Sequence, residues 1–70
     1  MNNKKISILG AGKSGKSCAR LALKMGYKVI LSDITNNVDF EDSDNLVLDL
    51  GGHSNKILDS DFIIISHGSH

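Results

Sequence analysis

The chain of 70 residues has one cysteine, Cys18, and therefore no intrachain disulfide. That argues against a small disulfide-stapled secreted fold. Tryptophan is absent and aromatic residues make up only 4%, but the hydrophobic share of 40% is ordinary for a folded domain, not for a disordered or fibrous chain. No apolar run approaches the length of a membrane span. The opening residues "MNNKKIS" lack the apolar stretch of a signal peptide. The expected compartment is cytoplasmic, and neither a membrane nor a nucleic acid is an expected partner. At this length the expectation is one domain over residues 1–70, close to the lower size limit for an independent core.

Acidic residues are also missing from the first part of the chain. Lys4, Lys5, Lys13, Lys16, Arg20, Lys24 and Lys28 all precede the first acid, Asp33. The net charge is nevertheless zero, because the acids cluster afterwards. A basic first part around a glycine loop suits an anionic ligand. A solvated helix face explains Lys24 and Lys28 as well or better.

The glycine loop is "GAGKSGKS", residues 10–17. Gly10, Gly12 and Gly15 spell G-x-G-x-x-G, a Rossmann-type loop. Gly10, Gly15, Lys16 and Ser17 spell the G-x-x-x-x-G-K-S of a P-loop. Context separates them. "KKISIL" before the loop predicts a strand over 4–9. Cys18, Leu21, Ala22 and Met25 then follow at helical spacing as one apolar stripe, with Gly26 as a left-handed cap. That stripe needs a helix starting at Gly12 to Ser14, not at Gly15 or Lys16. A second strand over 27–32 ends at Asp33, where a Rossmann scheme places an acid for a ribose hydroxyl or base. The dinucleotide-type geometry is favoured. In it Gly10 makes the turn, Gly12 admits a phosphate and Gly15 lets helix and strand pack. The amides around Lys13, Ser14 and Gly15 face the phosphate, and Ser14 either caps the helix or adds its hydroxyl. The plain alternative is that the glycines only make a tight strand-to-helix turn.

Further along, "NLVLDL" predicts a strand over 45–50, and a weak helix runs from Ser54 to Leu58 with Ser54 or Asn55 as cap. "DFIIIS" predicts a strand over 61–66 buried on both faces. The fold class is α/β: a Rossmann-like parallel sheet of about four strands with covering helices. Because nothing follows to cover the last strand, a truncated N-terminal domain of a longer protein is expected, and self-association of the piece is a possible outcome. Cys18 reads as a small core residue and His53 as a surface or locally bonded histidine. The acids from Asp39 to Asp44 read as a solvated loop. His67 and His70 lack metal-ligating company, so no metal site and no catalytic residue is assigned.

Taken together, "ILGAGKSGKSCARLALKMGYKVILSD", "DLGGHS" and "DFIIISHG" resemble the N-terminal domain of bacterial Mur ligases, nearest the branch that adds D-glutamate in peptidoglycan assembly. The resemblance implies a domain that binds a UDP-sugar, UDP-N-acetylmuramoyl-L-alanine, rather than a nicotinamide cofactor. It carries substrate contacts onto Lys13, Ser14, Asp33, Ile34, Thr35, Ser66 and Gly68, beside the glycine-loop positions Gly12 and Gly15. Asp33 to Thr35 would lie near the uracil, Ser14 near the diphosphate, and Ser66 and Gly68 at the end of the last strand. ATP and magnesium belong to other domains of such enzymes, so no cofactor is expected here and the 70 residues would bind without catalysing. One position departs from the family: its S-P-G reads Ser66-His67-Gly68 here, in a chain with no proline. Histidine relaxes the backbone restriction that proline would impose on itself and on Ser66. From residues alone, an NAD-binding domain of a dehydrogenase or regulatory protein stays open as the alternative.

Overall fold

The computed structural model describes residues 3–41 and 43–66. Its elements run β1 (Lys5–Leu9), α1 (Lys13–Lys24), β2 (Lys28–Asp33), β3 (Leu46–Leu50), a 3-10 helix (Asn55–Asp59) and β4 (Phe62–Ile65). All four strands are parallel, in the order β3-β2-β1-β4. This is the expected Rossmann-like α/β sheet, with each strand within a residue or so of its sequence-based bounds. No helix among the described residues is long and apolar enough to cross a membrane.

Helix α1 starts at Lys13, with Gly12 as its N-cap, which is the start a Rossmann loop requires and a P-loop does not. It ends at the C-cap Met25, and Gly26 follows with φ +88°, the left-handed turn expected of a glycine there.

The two faces of the sheet differ in chemistry. Register partners share a face, so Ile6 lies beside Val29 and Ile8 beside Leu31. These four are buried with Ala11, Ala19 and Ala22 as the apolar core under α1. The other face buries Ser7, Ser32 and Asp49. There the Ser7 hydroxyl meets that of Ser60, and the 3-10 helix packs on β2 without burying a residue of its own. One face is held by apolar packing, the other by hydrogen bonds.

Two expectations need correction. Cys18, Leu21, Ala22 and Met25 do share a flank of α1, beside Ile6, Tyr27 and Ile64. The residues that α1 buries, however, are Gly15, Ala19 and Ala22, whereas Leu21 and Met25 are 58% and 57% exposed. The helix sits so low on the sheet that only small side chains fit beneath it, and the larger ones turn to the flank. Likewise β4 is not buried on both faces. It is an edge strand whose four residues are all exposed, because α1 lies over β1 and β2 and no described element covers β4.

The connection from β2 to β3 crosses without a helix. Val38 and Phe40 pack against the core, and the Arg20 guanidinium lies 5.2 Å from the Phe40 ring centre while pairing with Glu41 at 3.1 Å. Glu41 is thus engaged rather than merely solvated, although a solvent-exposed pair of this kind adds little to stability.

A Cβ at Gly15 would stand 1.8 Å from the Gly10 carbonyl oxygen. Gly15→Ala should therefore destabilise the fold by about 3 kcal/mol or more, read as a lowered urea midpoint by circular dichroism. An unchanged midpoint would contradict the close helix–strand contact.

Candidate functional site

The carboxyl ends of the strands open onto a cleft of about 490 Å³, within the usual range of ligand sites. Its walls are the loop from Leu9 to Gly12, Asp33 at the end of β2 with Ile34 after it, His53, and Ile65 at the end of β4 with Ser66 after it. An open parallel sheet binds ligands in this place, because the loops there diverge to opposite sides.

Gly10 makes the turn at φ +105°, with its amide donating to the Ser32 carbonyl at 2.7 Å. A Cβ on it would meet the Ser66 carbonyl oxygen at 2.8 Å, so only glycine lets the loop and the end of β4 lie this close. Beyond the turn, the first bond of α1 runs from the Lys16 amide to the Gly12 carbonyl at 2.9 Å. Helix geometry leaves the amides of Lys13, Ser14 and Gly15 without carbonyl partners inside the helix. Among the described residues no side chain caps them, and the first turn holds no acid, so the positive end of the helix is left without a neutralising group from its own first turn. Ser14 is therefore not the cap. Lys13 and Ser14 are exposed, whereas Gly15 is buried.

Asp33 has a use that motif reasoning missed. Its Oδ2 accepts from the Ala11 amide at 2.7 Å and its Oδ1 from the Thr35 amide at 3.0 Å. The carboxylate thus ties the glycine loop to the segment after β2. These bonds, Thr35's first and Ala11's next, hold its carboxyl below the usual aspartate range. Thr35 in turn accepts the Asn37 amide on Oγ1 at 3.2 Å and stays exposed outside the cleft wall. The Asp-x-Thr spacing was the available signal, since aspartate readily bonds a backbone amide two residues on.

On the other side, Ser66 donates its amide to the Leu9 carbonyl at 2.8 Å, and its hydroxyl oxygen is buried without a partner among the described residues. An orphan hydroxyl beneath a glycine loop is unusual enough to mark a site. Of the sequence-based candidates, Gly12, Asp33, Ile34 and Ser66 line the cleft, and Lys13 and Ser14 stand at its helix end. Gly15 lies beneath it and Thr35 behind Asp33. Gly68, with His67, lies outside the described residues.

His53 was expected to be a surface or locally bonded residue. It is exposed, yet its Nδ1 lies 2.6 Å from Oγ of Ser32, a partner distant in sequence, and its ring lines the cleft. Ser32 also donates to Asp49 Oδ2 at 3.0 Å, which accepts the Ser54 amide at 2.9 Å. That amide bond, chiefly, keeps the Asp49 carboxyl below its ordinary range, with the Ser54 and Ser32 hydroxyls and the Lys56 charge adding and desolvation opposing. Among the described residues no group of three His, Cys, Asp or Glu side chains could hold a metal ion.

With this geometry in hand, comparison with known proteins points one way. The chain is 43% identical over 70 aligned positions to a UDP-N-acetylmuramoylalanine--D-glutamate ligase of Elusimicrobium minutum, over 93% of this chain and 15% of the relative. It is 37% identical to the ligases of that name from Lactiplantibacillus plantarum and Thermosipho africanus, over 90% and 94% of this chain and 15% and 16% of theirs. The chain is a Mur ligase homologue. It spans about 15% of the length of the Mur ligases it matches. No protein-family model and no solved structure matches it.

Asp33 and Asp49 both titrate lower folded than in an unfolded chain, where an aspartate sits at about 3.9. Their contribution is complete above that value and fades as pH falls through the folded ones. Asp49→Asn should be less stable than the parent chain at pH 7, with the gap closing as pH falls below the ordinary aspartate range. Urea melts at several pH values measure this, and a gap independent of pH would refute it.

Proposed function

We propose that this chain is the substrate-binding domain of a Mur ligase, taking the UDP end of UDP-N-acetylmuramoyl-L-alanine. The observation that carries the proposal is the first turn of α1, without a side-chain cap among the described residues, beside a cleft lined by Gly12 and Asp33. Its support from outside is the name shared by the relatives, ligases of UDP-N-acetylmuramoylalanine and D-glutamate.

In this reading the amides of Lys13, Ser14 and Gly15 donate to diphosphate oxygens, and the helix's positive end favours the negative charge. Gly12 permits the approach, and Lys13 and the Ser14 hydroxyl reinforce it. Asp33, Ile34 and Thr35 receive the nucleoside. Asp33 can do so without releasing Ala11, because each carboxylate oxygen accepts more than one hydrogen bond. The Ser66 hydroxyl, without a partner among the described residues, meets the substrate at the end of β4.

ATP and magnesium, which amide-bond formation by such a ligase requires, do not fit these residues. The G-K-S spelling at Gly15 to Ser17 lies inside α1 rather than in a loop around a triphosphate. The chain's part is thus to bind and orient the UDP-sugar, and the acyl-transfer chemistry takes place on other domains of the ligase. The open edge of β4 gives the isolated chain a route to self-association.

Titration with UDP, followed by amide chemical shifts, should move Ser14 and Asp33 together with Ala11 and Gly12. Silence at Ser14 and Asp33 would refute the proposal. Tighter binding of NADH than of UDP would favour a dinucleotide-binding domain instead.

A further inference from the structure

The Ser32–Asp49–His53 chain of hydrogen bonds sits on the polar face of the sheet and is not used by the reading above. Ser32 is fully buried and Asp49 is 8% exposed, each in the middle or near the end of a parallel strand where an apolar side chain would ordinarily sit. Polar groups placed there at the expense of apolar burial call for a reason.

Proton counting supplies one. The Ser32 hydroxyl has a single hydrogen, and a carboxylate can only accept, so that hydrogen goes to Asp49 Oδ2. The contact between Ser32 Oγ and His53 Nδ1 then requires the hydrogen to be on Nδ1. In the neutral ring this leaves Nε2 with a free lone pair, and fixes which way the ring faces. The ring lines the cleft together with Asp33 and Ile34. The diphosphate donors of the reading above are the amides at the start of α1, at Lys13 to Gly15.

We propose that His53 is a nucleoside-recognising residue of this cleft, with Ser32 and Asp49 fixing its Nδ1–H tautomer so that Nε2 accepts a hydrogen bond from an N–H or O–H of the bound nucleoside. The inference rests on the nucleotide-binding reading of the same cleft. It makes Ser32 and Asp49 positioning residues, which act on the ligand only through the imidazole. Asp33 and His53 then present two acceptors to the nucleoside, where the helix end presents donors to the phosphates.

The test compares the parent chain with His53→Ala, a change at an exposed side chain, using UDP and inorganic pyrophosphate as probes in calorimetric titrations. His53→Ala should weaken UDP about tenfold, the effect of one well-made hydrogen bond, and leave pyrophosphate unchanged. In the parent chain, imidazole ¹⁵N spectra should show the Nδ1–H form before ligand is added and a shift at Nε2 with UDP. Ser32→Ala should abolish that tautomer preference. If the parent binds UDP and His53→Ala binds it equally well, this inference fails and the nucleotide-binding reading stands. Equal loss of UDP and pyrophosphate would assign His53 to the phosphates and overturn it. Absence of UDP binding by the parent chain would remove both.

Discussion

Helix α1 comes so close to the end of β1 that a single methyl group at residue 15 would collide with the Gly10 carbonyl. That approach governs much else. It sets the helix start at Lys13, so the free amides of the first turn open beside the strand ends. It brings Ser66 under the loop, where its hydroxyl has no partner among the described residues. It also limits the fully buried residues of the helix to Gly15, Ala19 and Ala22, with Cys18 and Leu23 packed partly buried against the core and Leu21 and Met25 left exposed.

The sheet is correspondingly asymmetric. Under α1 the branched side chains of Ile6, Ile8, Val29 and Leu31 form an apolar layer, where most of the favourable burial lies. The opposite face is organised by hydroxyls and a carboxylate, Ser7 with Ser60 and Ser32 with Asp49. Such a face gives little hydrophobic stabilisation, but it orients side chains well, because each hydrogen bond fixes a direction. The cleft lies where the two regimes meet, lined by the glycine loop that leads into α1, by Asp33 and by the imidazole of His53.

Much of this was legible in the residues. Alternating and continuous apolar runs located all four strands, and the choice between two loop signatures followed from where a helix had to begin. Asp33 was picked out by its place after β2, but its bond to the Ala11 amide was not, since that contact joins segments 22 residues apart. The apolar stripe held for Ala22 and Cys18 but not for Leu21 and Met25, because helical periodicity finds hydrophobic faces whereas a sheet approached this closely selects for size. The burial of β4 was misjudged because a continuous apolar run reports what the strand is suited to, whereas its exposure depends on which elements lie over it. His53 is exposed as expected, but its bond to Ser32 was not foreseen, because nothing local hints at a serine 21 positions earlier.

The central claim is that the unpaired amides at the start of α1 hold the diphosphate of a UDP-sugar. A crystal structure with UDP bound tests it most directly. The account predicts phosphate oxygens within hydrogen-bonding distance of the Lys13, Ser14 and Gly15 amides, with the uridine extending toward Asp33. Phosphates gathered at the Lys16 side chain, or a nucleotide seated away from the strand ends, would contradict it.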